Sequence, residues 1–312
     1  MNIYYGEKNC QSLVCSTNKP CINKAYYKVN DKLLCGVHAR KYDNLIKLPK
    51  NPNKKKIYQD KIKQMKIEVS KFAQDNKIKG LKGKVLVSKM KMMKSPTYIK
   101  GYLNIFPNYK HQNRKDGYGC MKLSPKSLGP INHNMPCLPV SLNLENFHQF
   151  AKFWKFELDK NNKIIEKFKQ NRIEAYQKNS PKRHKYNKSK LLKYNDNVIK
   201  PEFSVYYDKF GKEHRYGYIE CRYFYCHFYE ILAKKEPDFK KIKNMINNGV
   251  NINIQGFDGY NVTSDLWYHY NDITKPFGHE LVLYTMFIEE NTKKYPWNRY
   301  YKENKSIYYN VI

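Results

Sequence analysis

The chain has 312 residues, with 59 Lys+Arg against 27 Asp+Glu and a formal charge of +32, enough for one large domain or two smaller ones with a real core. Aromatic residues make up 15% of it, including 29 Tyr and 15 Phe, a load that excludes a disordered chain. No apolar run approaches the ~18 residues of a membrane span, and the opening MNIYYGEKNC lacks the apolar stretch of a signal peptide. The expectation is a soluble, intracellular protein with reduced thiols and no membrane partner.

The first predicted element is a metal module over residues 1–48. Cys10, Cys15, Cys21 and Cys35 are followed by His38, and Cys35-Gly36-Val37-His38 offers two ligands on one turn of chain, a spacing suited to tetrahedral zinc. Gly36 is expected to relieve that turn. Ala25–Val29 and Lys32–Leu34 flank Asn30-Asp31 and predict a hairpin, which brings Cys21 and Cys35 together. Cys10 or Cys15 completes the set; the alternative is a cluster of free thiols. C-x10-C-x13-C-x2-H resembles the Cys3His zinc modules of plant growth-regulating factors and of many viral proteins. That resemblance implies one structural Zn2+ per chain and fits Cys10 better than Cys15.

Residues 49–82 read as a basic linker and helix. Lys54-Lys55-Lys56 opens a stretch in which Ile57, Ile62, Met65, Val69 and Phe72 recur at helical spacing. The lysine-rich face is either solvated or in contact with nucleic acid. From residue 83 to 312 strands and helices mix, which predicts an α+β (mixed α/β) domain behind the small module. Strands are expected over 84–87, 98–106 and 250–257, and a hairpin over 204–219. Helices are expected over 142–158, 163–177, 220–234 and 238–247, with a closing one at 279–289. Residues 110–139 read as a long Gly/Pro/Asn loop, of a length more often functional than not. Residues 175–195 hold seven basic residues, with Tyr186 and Tyr194 interleaved and one acid-free run beyond Glu174; a solvated loop is the plain alternative to a nucleic-acid contact.

The charge points to a polyanion, nucleic acid first. Only seven of the cations are Arg, so contact through phosphates rather than base reading is expected, with Lys54, Lys55, Lys56, Lys182, Arg183 and Lys185 as candidate ligands. AT-rich coding explains Lys in place of Arg but not the shortage of acids.

One helical constellation carries chemistry: Glu145, Gln149 and Lys152 are spaced by four and three, and so share a face of the predicted 142–158 helix. E-x3-Q-x2-K-F here, preceded by the Leu123–Ile131 loop, resembles the NADAR family. Phe228-Tyr229-Glu230 to Asp238-Phe239, Asn248-Gly249, and Asp272 to Phe277-Gly278 follow in the family's order, with Phe277 where the family has Trp. The resemblance implies a small α+β fold acting on ADP-ribose- or nucleotide-type N-glycosidic bonds. It makes Glu145 the acid–base carboxylate and Asp272 a stabiliser of oxocarbenium charge. Gln149 and Lys152 orient the ligand, and Arg222 and His279 contact phosphate. The chain is also similar to a group of proteins from nucleocytoplasmic large DNA viruses, through FPN (106–108), LSPKSLGP (123–130), NLENFHQ (143–149), RHKY (183–186), FYCHFYE (224–230) and PFGHE (276–280). That likeness implies a place in host cytoplasm, viral factory or virion. Two function classes follow: an N-glycosidase tethered to nucleic acid, or a non-catalytic DNA/RNA-binding or virion-associated protein.

Overall fold

Two residues with left-handed backbones, Asn30 (φ 45°) and Asp31 (φ 66°), turn the chain between β1 (Tyr27–Val29) and β2 (Lys32–Leu34). Successive positive φ values give the two-residue turn that matches strand twist, and Asn and Asp tolerate that conformation. The structure, a computed structural model, describes residues 3–49, 52–92, 94–184, 201–263, 265–308 and 311. Behind β2 comes the single-turn helix α1 (Gly36–Ala39), with Cys35 at its N-cap. β3 (Ile46–Lys47) then pairs with the free edge of β1. Two small cores hold this unit: Cys10, Cys21, Val29, Leu34, Cys35 and Ala39 in one, Ala25, Leu33 and Leu48 in the other.

Helix α2 (Pro52–Ile78) carries Pro at its first position, where no amide is missed. The chain divides into two compact units within it, Met1–Gln64 and Met65–Ile312. The apolar stripe expected here is only partly used. Ile62, Met65 and Val69 are half-buried, whereas Ile57 and Ile67 are exposed. Phe72 lies over Gly101, where a Cβ would strike its ring.

The second unit is built on four parallel strands in the order β4 (Val85–Lys89), β10 (Asn251–Gly256), β5 (Tyr102–Phe106) and β6 (Tyr118–Gly119). β10 enters between β4 and β5 about 150 residues after them, in register Ile252↔Val85 and Ile252↔Leu103. All six of its residues are buried, as a central parallel strand requires. Ile252 and Ile254 belong to the hydrophobic core. Asn253 and Gln255 both donate to Asn104 Oδ1, at 3.2 and 3.0 Å.

Between β6 and β10 come α3 (Leu144–Phe150), β7 (Lys152–Phe153), α4 (Glu166–Tyr176), β8 (Phe203–Tyr207), β9 (Glu213–Tyr216), α5 (Arg222–Ala233) and α6 (Pro237–Asn247). β7, β8 and β9 form a second, antiparallel sheet. After β10 come α7 (Leu266–Asn271), α8 (His279–Ile288) and α9 (Pro296–Glu303), so the helix at 279 does not close the chain. The fold is mixed α+β with a Cys3His cluster near its N-terminus.

The helix expected over 142–158 is the main correction. It ends at Phe150, because Ala151 and Phe153 are taken by a strand partner: Val205 N donates to Ala151 O and Glu202 N to Phe153 O, both at 2.8 Å. Sheet pairing overrides a helix-compatible pattern. The strand expected from 98 starts only at Tyr102, and the 110–139 loop contains β6 and a short 3-10 turn at Met121–Leu123.

Candidate metal centre and candidate active site

Two ribbons and a helix start bring the metal-type ligands together. Isolated bridges Asn9↔Lys24 and Leu13↔Pro20 pair the segments holding Cys10 and Cys21, and both cysteines are fixed by backbone bonds, Cys10 N to Asn23 O and Cys21 N to Ser12 O, at 2.8 Å. The hairpin delivers Cys35, and α1 presents His38 three residues on. Cys10 Sγ lies 3.3 Å from His38 Nδ1, Cys35 Sγ 3.4 Å from the same nitrogen, and Cys21 Sγ 4.0 Å from Cys35 Sγ. The four ligand atoms lie within 4.8 Å of one another and could hold a metal ion. Cys15 is exposed and has Lys41 Nζ at 3.8 Å, so Cys10 is the fourth member. Burial opposes ionisation of Cys35, but the His38 and Val37 N–H groups at the start of α1, with Cys10 and His38, take its thiol down to about 6. The Asn23 N–H favours the Cys21 thiolate, yet burial and the neighbouring thiols of Cys35 and Cys10 leave Cys21 raised. Gly36 has no positive φ, and a Cβ there would meet nothing within 4 Å. The expectation that the turn needs glycine is therefore corrected.

Glu145 is the second residue of α3, capped by Asn143, whose side chain accepts from Asn146 N. The 123–131 loop is bonded to this helix start: Leu144 N donates to Leu128 O and Glu145 N to Pro125 O. The Glu145 side chain is half-buried and forms no hydrogen bond or ion pair among the described residues. Burial raises its pKa against the pull of Lys126, Lys152, His279 and Arg183. Lys152 is not on the helix, as the spacing predicted, but in β7; its charge still acts on Glu145. Burial lowers the Lys152 pKa, opposed by Cys221 and Glu145 and helped by Arg183. A carboxyl pushed up in the field of an ammonium pushed down makes this pair a candidate functional site.

His279, whose charge acts on Glu145, comes from the parallel sheet's end. His279 opens α8 and has its Nε2 3.0 Å from Pro107 O, just past the end of β5. Glu280 is 1% exposed, with Oε2 3.2 Å from His279 Nδ1. It fits because Gly256, at the end of β10, has no Cβ; one there would lie 1.8 Å from Glu280 Oε1. Asp258 follows and is felt by Lys152. His279, Glu280 and Asp258 thus gather outside the carboxyl ends of the parallel strands, where open sheets place their ligands.

Several expected ligands are committed elsewhere. Arg222 donates to three backbone carbonyls, Tyr270 O, Asp272 O (3.0 Å) and Lys275 O (2.5 Å), so it anchors the 270–275 turn and does not serve phosphate. Asp272 Oδ1 accepts from Thr274 N and Oγ1 at 2.8 and 2.6 Å, and Oδ2 faces Lys275. These bonds hold its pKa low and occupy the carboxylate within its own turn. Gln149 is half-buried; its backbone carbonyl oxygen lies 3.2 Å from His184 Nδ1, a bond that leaves its side-chain amide uncommitted among the described residues. Lys182 and Arg183 are not on a free loop. Asn146, fully buried, donates to Ala175 O, Lys178 O and Ser180 O and accepts from Lys182 N, while His184 stacks on Phe150 and bonds Glu157 Oε1 at 2.8 Å. Lys54 and Lys55 fall in the first turn of α2, Lys56 is exposed, and Lys185, Tyr186 and Tyr194 lie outside the described residues.

Sequence reasoning missed Lys126, His148, Tyr225, Asp258 and Glu280. His148 Nδ1 is buried without a partner, burial holds its pKa well below the usual range, and its ring lies 4.6 Å from Tyr225. Burial, then Tyr229, Glu145 and Glu280, push Tyr225 up. Only Lys126 carried a local signal, in the loop ahead of the Glu145 helix; the others depend on chain crossings. Comparisons with protein-family profiles, curated proteins and solved structures find no match to this chain.

Proposed function

We propose that this is a zinc-containing, nucleic-acid-associated protein whose second unit binds an ADP-ribose- or nucleotide-type ligand and cleaves its N-glycosidic bond. The observation that carries the enzymatic part is Glu145: a half-buried carboxyl with no partner among the described residues, its pKa raised, surrounded by the charges of Lys126, Lys152, Arg183 and His279. The cations suit the phosphates of such a ligand. Protonated Glu145 donates to the leaving nitrogen as the C1′–N bond breaks and its electron pair passes to the base. The resulting carboxylate then takes a proton from the water that bonds to C1′. His148, kept neutral by burial, lies within the electrostatic reach of Lys152. Asp272 has no part in this scheme.

Zinc is proposed because the donors are three thiols and one imidazole. Zn–S and Zn–N bonds of ~2.3 and ~2.0 Å give tetrahedron edges of roughly 3.8 Å for S···S and roughly 3.5 Å for S···N. Separations of 4.0, 3.3 and 3.4 Å fit that figure, with Cys10, Cys21, Cys35 and His38 as the holders. All four positions are filled by protein, so the role is structural. Nucleic-acid association rests on the +32 charge.

Thermal shift with ADP-ribose and release of free base from a nucleotide panel test the reading. Wild type is expected to melt higher with ligand and to release base; Glu145→Gln is expected to keep the shift and lose the release. No shift and no release from wild type remove the glycosidase and leave a non-catalytic binding protein.

A further inference from the structure

A recess lies in the first unit, against the metal cluster. Its volume is about 550 Å³, and Lys24, Tyr26, Tyr27, Gly36, Val37 and Arg40 line it, with no acidic residue among the lining. That is within the range of ligand pockets, ~300–1,000 Å³. Three features suggest an occupant. Val37 is 60% exposed, so an apolar surface is left uncovered at the rim. Gly36 adds open floor, since even a Cβ there would touch nothing. Arg40 is uncommitted: Arg114, Arg172, Arg215, Arg222 and Arg299 each bond a partner in the chain, whereas Arg40, like Arg183 beside Glu145, has none among the described residues. Of the two arginines left without partners, Arg40 lines this cleft.

We propose that this cleft binds single-stranded nucleic acid, one base resting on Tyr27 and Val37 over the Gly36 floor, with flanking phosphates on Arg40 and Lys24. Cations beside a half-buried aromatic ring match the chemistry of an unpaired strand, in which every base offers a π-face next to a phosphate. A duplex buries those faces. An acidic peptide would satisfy the cations but leave the ring and Val37 unmatched. This goes beyond phosphate contact by the exposed lysines and rests on the nucleic-acid part of the reading above.

The test is fluorescence anisotropy of full-length protein with labelled dT10, with dT10·dA10 duplex and a ten-residue polyglutamate as comparisons, and metal content measured on every variant. Gly36→Phe fills the cleft and is expected to weaken dT10 binding about tenfold, the scale of one lost base stack, while leaving duplex affinity unchanged; Arg40→Ala is expected to weaken dT10 likewise. Wild-type dT10 affinity in Gly36→Phe with full metal content overturns the proposal. If Gly36→Phe loses metal, unchanged dT10 affinity in Arg40→Ala overturns it instead. Polyglutamate bound more tightly than dT10, and lost in Gly36→Phe, also overturns it in favour of a peptide site. Wild type that binds no nucleic acid at all defeats the broader nucleic-acid reading, a result distinct from binding that ignores the cleft.

Discussion

At the scale of single residues, Glu145 carries a stability cost at neutral pH. A carboxyl raised in the folded state binds its proton more tightly there than in the unfolded chain. Its contribution is therefore fully present below the ordinary glutamate range and is lost as pH rises through the raised value. Glu145→Gln is expected to melt higher than wild type at neutral pH, with the gap closing in acid; calorimetry across pH checks this. Lys152→Met should also stabilise at neutral pH, since burial of that ammonium is unfavourable, and it should weaken ADP-ribose binding. At Gly36 the open surroundings predict that Gly36→Ala keeps full metal content and gains up to ~1 kcal/mol, the helix preference of alanine, read by urea denaturation. Cys35→Ser, by contrast, is expected to lose the metal, as measured by elemental analysis.

At the scale of elements, α3 is only seven residues long, too short to be stable alone. It persists because its start is stitched to the 123–131 loop and its inner face to the segment after α4. Asn146 makes the latter bonds, four of them from one buried amide. Asn146→Leu is expected to cost about 2–4 kcal/mol, as the carbonyls and the Lys182 amide lose their partners. It should also open the 178–184 segment to trypsin. Because Arg183 sits in that segment, ADP-ribose affinity should fall along with stability. Wild-type stability in this variant would show that the segment is held by His184 and its stack on Phe150 instead.

At the scale of the whole molecule, the two units rest on different foundations. Residues 1–64 have two cores of a few side chains each, too little apolar area to fold without a staple. Removing metal with a chelator is expected to abolish one calorimetric transition and leave a second, from residues 65–312, with its melting temperature unchanged. The charge acts across both units. Affinity for DNA should fall by orders of magnitude between low and moderate salt, because each phosphate contact releases a counterion; a flat salt response would leave coding bias as the source of the lysines.

Local pattern determined much of this protein. The Cys35–His38 spacing, the Asn30-Asp31 turn, the 204–219 hairpin and the helices beginning near 166, 222, 237 and 279 are visible in the sequence, because each depends on neighbours within a few residues. Glu145 was legible as a candidate for the same reason, standing on a short periodic stretch behind a long loop. Tertiary structure decided the rest. The end of α3 depends on Glu202 and Val205, some 50 residues away, so Lys152 reaches Glu145 from a strand and not from the helix face that its spacing implied. The choice of Cys10 over Cys15 depends on a ribbon whose pairing no local signal carries. Asp272 and Arg222 look like free ligands in the sequence and prove to hold a turn together. Glu280 meets Gly256 only because β10 inserts between two strands laid down 150 residues earlier. Hydrogen bonds and burial between distant segments have no signature in local composition, and they determine which charged groups remain free to act.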